Sequence, residues 1–232
     1  LNRATGVRPY ANFSRVSYLE NSASSIYHGL HTRIEKRTNR NETFLVSYIW
    51  GKMIDGASTN PQDSYNLKLE RGLSTDDVRH RFALSYVYPL PFGNGQRLLS
   101  NVSGIASQLI SGWELSGIVR ANSGNPFNPT ITRAISGTGN TGWDRANLIG
   151  DPVLDDPGPS GWYNRAAFEV PAAGQFGTAG RNILTGPGVQ QVDISLQKRF
   201  QVTEGQSLQF RFEAFNALNH ANFNTPVNSP DS

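Results

Sequence analysis

The sequence predicts an all-β protein whose antiparallel sheet is of the transmembrane β-barrel type, with long loops at one end. Three observations support this prediction. Segments of about nine to eleven residues alternate apolar and polar side chains, the connections between them alternate between short and long, and large aromatic residues fall near the segment ends. This combination is typical of strands that cross a membrane with one face toward lipid and the other toward water.

The composition suits many strands joined by polar loops. Hydrophobic residues make up 37% of the chain and charged residues 17%, both below the usual values of about 45–50% and about 25%. The chain has no cysteine, which excludes disulfides, thiolate metal sites and cysteine catalysis. The formal net charge is +3 with scattered basic residues, so we do not expect a nucleic acid as partner.

Six segments alternate with a period of two residues, which is the signature of strands with two different faces. In the last of them, Leu208, Phe210 and Phe212 take alternate positions and therefore share an apolar face. A weaker seventh segment spans Asn12 to Leu19. The six predicted strands are Tyr27 to Lys36, Thr43 to Met53, Arg81 to Leu90, Trp113 to Ala121, Asp193 to Phe200 and Ser207 to Asn216.

The connections between the predicted strands differ greatly in length. "RTNRNE" and "QVTEGQ" are tight turns, whereas Ile54 to His80 and Asn122 to Gln191 are long loops. Pro91 to Gly112 is of moderate length, and its "LLSNVSGIASQLI" stretch predicts a short helix. Loops longer than about 12–15 residues are uncommon inside compact domains. We therefore expect compact turns at one end of the sheet and large loops at the other.

Alternation alone does not decide which face of the sheet is buried, because a soluble β-sandwich alternates in the same way. The position of Trp50, Tyr88, Trp113 and Phe200 near strand ends is typical of the aromatic belts at membrane interfaces. Together with the loop asymmetry and the strand lengths, it favours a membrane barrel. A soluble or surface β-sandwich that serves as a carbohydrate-binding or adhesion module is the alternative, and a passive porin-like channel is a third possibility.

Several stretches of the chain resemble TonB-dependent outer-membrane receptors. The resemblance is to the Oar-like branch, whose chains often begin with a carboxypeptidase-regulatory-like domain, and it covers most of the chain. The stretches are "YHGLHTRIEKRTNRNETFLVSYIWGKMIDG", "ERGLSTDDVRHRFALSYVYPLPFG", "GWELSGIVRANSGNPF", "GRNILTGPGVQQVDISLQKRF" and "FRFEAFNALNHANF".

This resemblance implies that residues 1–232 form the C-terminal part of a barrel of about 22 strands in the outer membrane of a Gram-negative bacterium. The plug domain and the final strand would then lie outside the sequence. The turns at Thr38–Asn41 and Thr203–Gly205 would be periplasmic, and Asn122 to Gln191 would be extracellular. The last predicted strand would be the next-to-last strand of the barrel, so the isolated piece would expose an unpaired edge and behave poorly.

The resemblance also implies a function in active uptake. Extracellular loops would capture a bulky ligand, the TonB complex would act through the absent plug, and the ligand would pass along the polar lumen. The expected surroundings are outer-membrane lipid. The ligand is not identified by these residues, although an upstream regulatory-like domain hints at a glycan or a peptide. The chain is not expected to be an enzyme or to bind a cofactor.

Charged residues on the polar faces of the strands are expected to line the lumen. Cross-strand salt bridges within the barrel wall are the favoured interpretation, because opposite charges on neighbouring strands stabilise sheets by about 0.2–1 kcal/mol each. A plug-docking or substrate-conducting surface is the other. The candidates are Arg33, Glu35, Arg81, Glu114, Arg120, Arg199, Arg211 and Glu213.

Four aromatic residues in the long loop are candidates for ligand contact: Trp143, Trp162, Tyr163 and Phe168. Exposed aromatic residues on loops often serve this purpose. They suit equally well a role in packing the loop against itself. The sequence leaves both interpretations open.

Other motifs carry less weight. "GTGNTG" at residues 137–142 matches G-x-G-x-x-G, but no helix is expected to follow it, as a dinucleotide site requires. The loop carboxylates Asp144, Asp151, Asp155 and Asp156 lack the spacing of an EF-hand, so solvated charge is the favoured interpretation, with calcium binding left open. Asp77 to Arg81 is expected to form a hydrogen-bond network where a strand begins, since neither G-x-S-x-G nor H-E-x-x-H occurs.

Overall fold

The computed structural model of the protein describes Asn12 and residues 19–56, 59–138 and 144–231. Short elements include one helix, at Gly104–Ile110, and two 3-10 turns, at Leu67–Glu70 and Arg165–Ala167. Within the described residues, no helix has the length and apolar character needed to cross a membrane. In chain order the elements are β1 Ser25–Arg37, β2 Thr43–Asp55, β3 Gly72–Leu73, β4 His80–Pro89, α1 Gly104–Ile110, β5 Trp113–Asn122, β6 Pro126–Phe127, β7 Asn147–Leu148, β8 Phe168–Glu169, β9 Leu184–Thr185, β10 Val189–Thr203 and β11 Gln206–Ala214.

One antiparallel sheet dominates the fold. Its strands follow the order β1-β2-β4-β5-β10-β11, and the short β3 pairs with the end of β2. Within the described part of the chain, β1 and β11 are the two edges, so the sheet is open. The only other ladders there, β6 with β9 and β7 with β8, have two strands of two residues each and lie in loops. They provide no second layer of the kind that a β-sandwich requires.

All six predicted strands are confirmed, and so is the short helix predicted in the connection between the third and the fourth of them. The strands differ from the prediction in length, because β1 and β2 have 13 residues each and β10 has 15. Backbone pairing continues at the loop end to Ser25 opposite Asp55, beyond the positions where side chains alternate. The weaker segment predicted from Asn12 to Leu19 falls almost wholly outside the described residues.

The register of the sheet aligns apolar side chains in rows. Val46 lies opposite Ile34 and Leu84, and the row continues through Val119 to Val192. Because side chains alternate between the two faces of a strand, all five belong to one face. We call it the apolar face, and the other the polar face.

The two ends of the sheet differ as predicted. At one end, β1 turns into β2 through Thr38, whose amide donates to the Glu42 carbonyl oxygen over 3.0 Å. Asn41 has a φ of 62° there, a left-handed conformation that asparagine tolerates better than most residues. The β10–β11 turn and the connection that contains α1 lie at the same end. The loops of residues 56–79 and 123–188 lie at the other end, where β11 also leads into the tail of residues 215–231.

The hydrophobic core of the described chain lies in the long loops and not under the sheet. We call the described residues of 56–79, 123–188 and 215–231 the loop cap. The two edge strands of the sheet, β1 and β11, are largely exposed. The buried apolar side chains are Phe127, Ile131, Ala146, Tyr163, Ala167, Phe168, Ala179 and Leu184.

Candidate functional site: the polar face and the loop cap

All eight charged residues predicted to line a lumen lie on the polar face. Their positions follow from the ladder register, since each one alternates with residues of the apolar face. Arg33 lies opposite Ser47 and Glu114 lies opposite Gln197. The full set is Arg33 and Glu35 in β1, Arg81 in β4, Glu114 and Arg120 in β5, Arg199 in β10, and Arg211 and Glu213 in β11.

The ion pairs on this face run along strands, which corrects the favoured interpretation of cross-strand salt bridges. Glu35 accepts from Arg33 over 3.2 Å and from Arg37 over 2.7 Å, and Arg211 lies 3.7 Å from Glu213. Among the described residues of the polar face, each such pair joins positions two apart in one strand. The reason is that directly opposite positions carry uncharged residues, such as Leu45 opposite Glu35.

Gln197 makes the cross-strand contacts that charges were expected to make. Its side-chain amide donates to Glu114 in β5. Its carbonyl oxygen accepts from Gln209 over 3.0 Å and from Arg211 over 3.4 Å, both in β11. Gln197 therefore links three strands. Sequence reasoning missed this role, although its position between two charged strands was readable from the alternation.

Charge is unevenly distributed along the polar face. A groove of about 210 Å³ is lined by two guanidinium groups together with Ser47 and Asn122, so an anionic group there would meet positive charge. A wider groove of about 360 Å³ nearer the turns is lined by Ser85, Ser116 and carboxylates. In ladder order, the charged residues nearer the loop cap are Arg33, Arg81 and Arg120, whereas those nearer the turns have both signs and are Glu35, Arg37, Glu114, Asp193, Arg199, Arg211 and Glu213.

The apolar face carries aromatic residues near both ends. Trp50 lies opposite His80 in β4, and Tyr88 is at the other end of β4. Those two positions of β4 are eight residues apart, which is about 26 Å at ~3.3 Å per residue. With a strand tilt of about 40° the distance along the membrane normal is about 20 Å, close to the apolar band of about 25 Å in membrane barrels.

Three of the four aromatic loop candidates lie in or against the core of the loop cap. Tyr163 and Phe168 are 6% and 7% exposed, and their rings meet edge to face with centroids 5.8 Å apart. Trp162 is half-buried and its indole nitrogen donates to the Thr185 carbonyl oxygen over 2.7 Å. These positions match the interpretation that the aromatic residues pack the loop against itself. Trp143 lies outside the described residues, and ligand contact stays a prediction for all four.

Tyr163 also ties the tail to the loop. Its hydroxyl donates to the Val227 carbonyl oxygen over 3.2 Å. Burial raises the pKa of Tyr163, the nearby positive charge of Arg165 opposes this shift, and the negative charge of Asp231 adds to it. Asp231 itself accepts from the backbone amide of Thr132 over 3.1 Å and from its hydroxyl over 2.7 Å. The tail is therefore part of the folded cap.

Two buried arginines join the loops to each other and to the sheet. Arg145 pairs with Glu70 over 2.7 Å and its Nε donates to the Ala179 carbonyl oxygen over 2.9 Å. Arg181 pairs with Asp55, the last residue of β2. Residues far apart in sequence thus hold the cap together. Local patterns in the sequence did not reveal either pair.

Three of the remaining sequence candidates make structural hydrogen bonds. Buried Asp144 accepts from the amide and the hydroxyl of Ser136, each over 2.7 Å. Asp77 accepts from the Met53 amide over 2.6 Å, and the His80 amide donates to the Ser123 hydroxyl over 3.0 Å, which confirms the predicted network where β4 begins. In the described part of the chain, no group of three or more histidine or carboxylate side chains has an arrangement that could hold a metal ion. The G-x-G-x-x-G match lies mostly outside the described residues.

A single antiparallel sheet with a charged face, an apolar face and large loops at one end defines the wall of a membrane β-barrel. The sequence matches the family described as Outer membrane beta barrel domain over residues 1–232, and the chain belongs to this family. It is accordingly a protein of the bacterial outer membrane. Comparison with curated proteins and with solved structures found no match.

Proposed function

We propose that the chain is part of the barrel wall of a TonB-dependent outer-membrane receptor of the Oar-like branch. In this proposal the apolar face contacts lipid, the polar face lines the lumen, and the loop cap is extracellular. One observation carries the proposal. A single sheet has a charged face, and its two long loops fold into a cap at one end. The proposal assigns the chain no catalytic activity.

The orientation rests on loop length. Outer-membrane barrels have short periplasmic turns and longer extracellular loops, and the chain has the same asymmetry between its tight turns and its cap. A ligand would then meet the cap first. The buried core and ion pairs of the cap hold its surface in one conformation. A pre-organised surface loses less conformational entropy on binding than a flexible loop does.

A TonB-dependent receptor requires a barrel wide enough to hold a plug. The six long strands leave two free edges in the described chain, and about eight strands already enclose a lumen that side chains can fill. Further strands would give a lumen wide enough for a plug and a bulky ligand. The charged residues on the polar face would contact the plug, the ligand or both.

Two measurements on the full-length protein test the proposal. The first is binding of the purified periplasmic domain of TonB to the full-length protein in detergent or nanodiscs, for which we expect a saturable complex. The second is conductance in planar bilayers, for which a plugged receptor predicts closed membranes. Steady conductance without TonB binding would indicate a passive porin-like channel, and would overturn the uptake proposal while leaving the barrel intact.

A further inference from the structure

A buried lysine lies on the apolar face at the turn end of the sheet. Lys198 stands opposite Trp113 in β5 and Phe210 in β11, and only 3% of it is exposed. A charged ammonium on a face of this kind costs free energy unless polar partners replace water. The partners here come from the helix α1.

Lys198 holds the C-terminal end of α1 against the sheet. Its Nζ donates to the carbonyl oxygens of Gln108 and Ser111 and lies 4.7 Å from the centroid of the Phe200 ring. The indole nitrogen of Trp113 donates to the Leu109 carbonyl oxygen over 2.9 Å. A cation is favourable at the carbonyl end of a helix and over an aromatic ring. The helix therefore lies on the outer side of the sheet, over its apolar face.

The helix and the residues before it expose apolar side chains. Ile105 is 78% exposed and Leu109 is 57% exposed. They are four residues apart and so share one side of the helix. Leu98 and Leu99 are 50% and 56% exposed in the same connection. No charged residue occurs between position 98 and position 112.

We infer that α1 and its preceding leucines form a lipid-contacting foot, which lies at the boundary between headgroups and acyl chains of the periplasmic leaflet. The inference rests on the lipid-facing orientation of the apolar face proposed above. The foot is continuous with that face through Lys198, and it adjoins Trp113 and Phe200, residues of the kind that mark membrane interfaces. Amphipathic helices bind this boundary by inserting their apolar side chains. An uncharged, apolar surface at this level fits lipid better than water.

Nitroxide labels on the full-length protein in outer-membrane vesicles test the inference. The sequence has no cysteine, so each substitution adds one labelling site to it. The variants are Ile105→Cys and Leu109→Cys in the foot, Leu196→Cys on the apolar face of the wall, and Arg40→Cys in the tight turn. Electron paramagnetic resonance compares collisions with oxygen, which concentrates in lipid, and with a water-soluble nickel chelate.

We expect the ratio of oxygen to nickel accessibility at positions 105 and 109 to approach the ratio at 196 and to exceed the ratio at 40 several-fold. A water-like ratio at both foot positions, with a lipid-like ratio at 196, would overturn the foot and leave the wall orientation standing. Low accessibility to both reagents would overturn it as well, since protein would then cover the helix. A water-like ratio at 196 would contradict the proposed orientation itself.

Lys198→Met tests the link between the wall and the foot. We expect the label at position 109 to become more mobile and to lose its lipid-like ratio, because the carbonyl oxygens of α1 lose their cation. Lys36→Met is the matched control, since Lys36 lies on the same face but is exposed, and it should leave the label unchanged. An unchanged spectrum in Lys198→Met would refute the link. If Lys198→Met fails to fold, the labels at positions 105 and 109 in protein that retains Lys198 still show whether the foot contacts lipid.

Discussion

Glu70 and Arg145 form an ion pair of 2.7 Å in which the side chains are 1% and 4% exposed. The pair joins the shorter loop of the cap to the longer one. The backbone amide of Arg145 also donates to the side-chain carbonyl oxygen of Gln62 over 2.8 Å. Breaking a buried pair by removal of one partner costs about 3–5 kcal/mol, since the other charge remains buried. The pair is therefore a direct probe of whether the cap folds as a unit.

We expect Glu70→Gln to loosen the cap without disrupting the wall. The measurement is protease cleavage within residues 56–79 and 123–188 of the protein in outer membranes, together with heat-modifiable gel mobility for the barrel. Cleavage should become much faster while heat modifiability persists. Glu213→Gln is the control, because the exposed pair of Glu213 with Arg211 is worth no more than about 1 kcal/mol. Equal cleavage of both variants would count against a folded cap.

Tyr163 gives the cap a pH dependence at alkaline pH. Burial raises the pKa of Tyr163, so the folded cap holds the phenolic proton more tightly than the unfolded chain does. The stability of the cap is therefore complete below the unfolded pKa of about 10 and is lost as pH rises through the higher folded pKa. Protease resistance measured from pH 8 upward should fall only in that alkaline range.

Tyr163→Phe should weaken this pH dependence and cost about 0.5–1.5 kcal/mol at neutral pH, because the hydrogen bond to the Val227 carbonyl oxygen is lost. Tyr65→Phe is the matched control, since Tyr65 is 86% exposed and should change neither property. If the two variants had the same alkaline profile, Tyr163 would not be the responsible group.

Gly117 is a close-packed point of the wall. A Cβ atom at this position would lie 2.6 Å from the Asp193 carbonyl oxygen and 2.7 Å from the Tyr86 hydroxyl. We expect Gly117→Ala to lower the barrel's stability by about 1–3 kcal/mol, as overpacking does in other cores, measured as the urea midpoint of heat-modifiable mobility. Gly205→Ala in the β10–β11 turn meets no atom within 4 Å and should leave the midpoint unchanged. Equal midpoints would contradict close packing at this position of the wall.

The strands of the wall were predictable from the sequence because the pattern that marks each strand lies within that strand. Alternation with period two marks each strand and its faces, so Leu208 and Arg211 could be assigned to opposite faces from their positions alone. The strand ends were less predictable, since backbone pairing of Ser25 with Asp55 does not require alternation. Loop lengths sufficed to place the turns and the cap at opposite ends.

The cap was not predictable, because its contacts join distant residues. Glu70 and Arg145 are 75 positions apart, and no local pattern marks either as buried. Trp162 and Tyr163 were equally suited to ligand contact and to packing, and only the tertiary structure places them against the cap core. Lys198 breaks the apolar alternation of β10, and its explanation lies in the helix that covers it.

A wall of this kind has lipid on its apolar face and water on its polar face. Cysteine scanning of residues 193–198 in β10 tests this arrangement most directly, in the full-length protein in outer membranes. We predict that labels at Ile194 and Leu196 favour oxygen and that labels at Ser195 and Gln197 favour the water-soluble nickel chelate, with a period of two residues. Equal accessibility at all four positions, or the reverse alternation, would rule out lipid on the apolar face and water on the polar face.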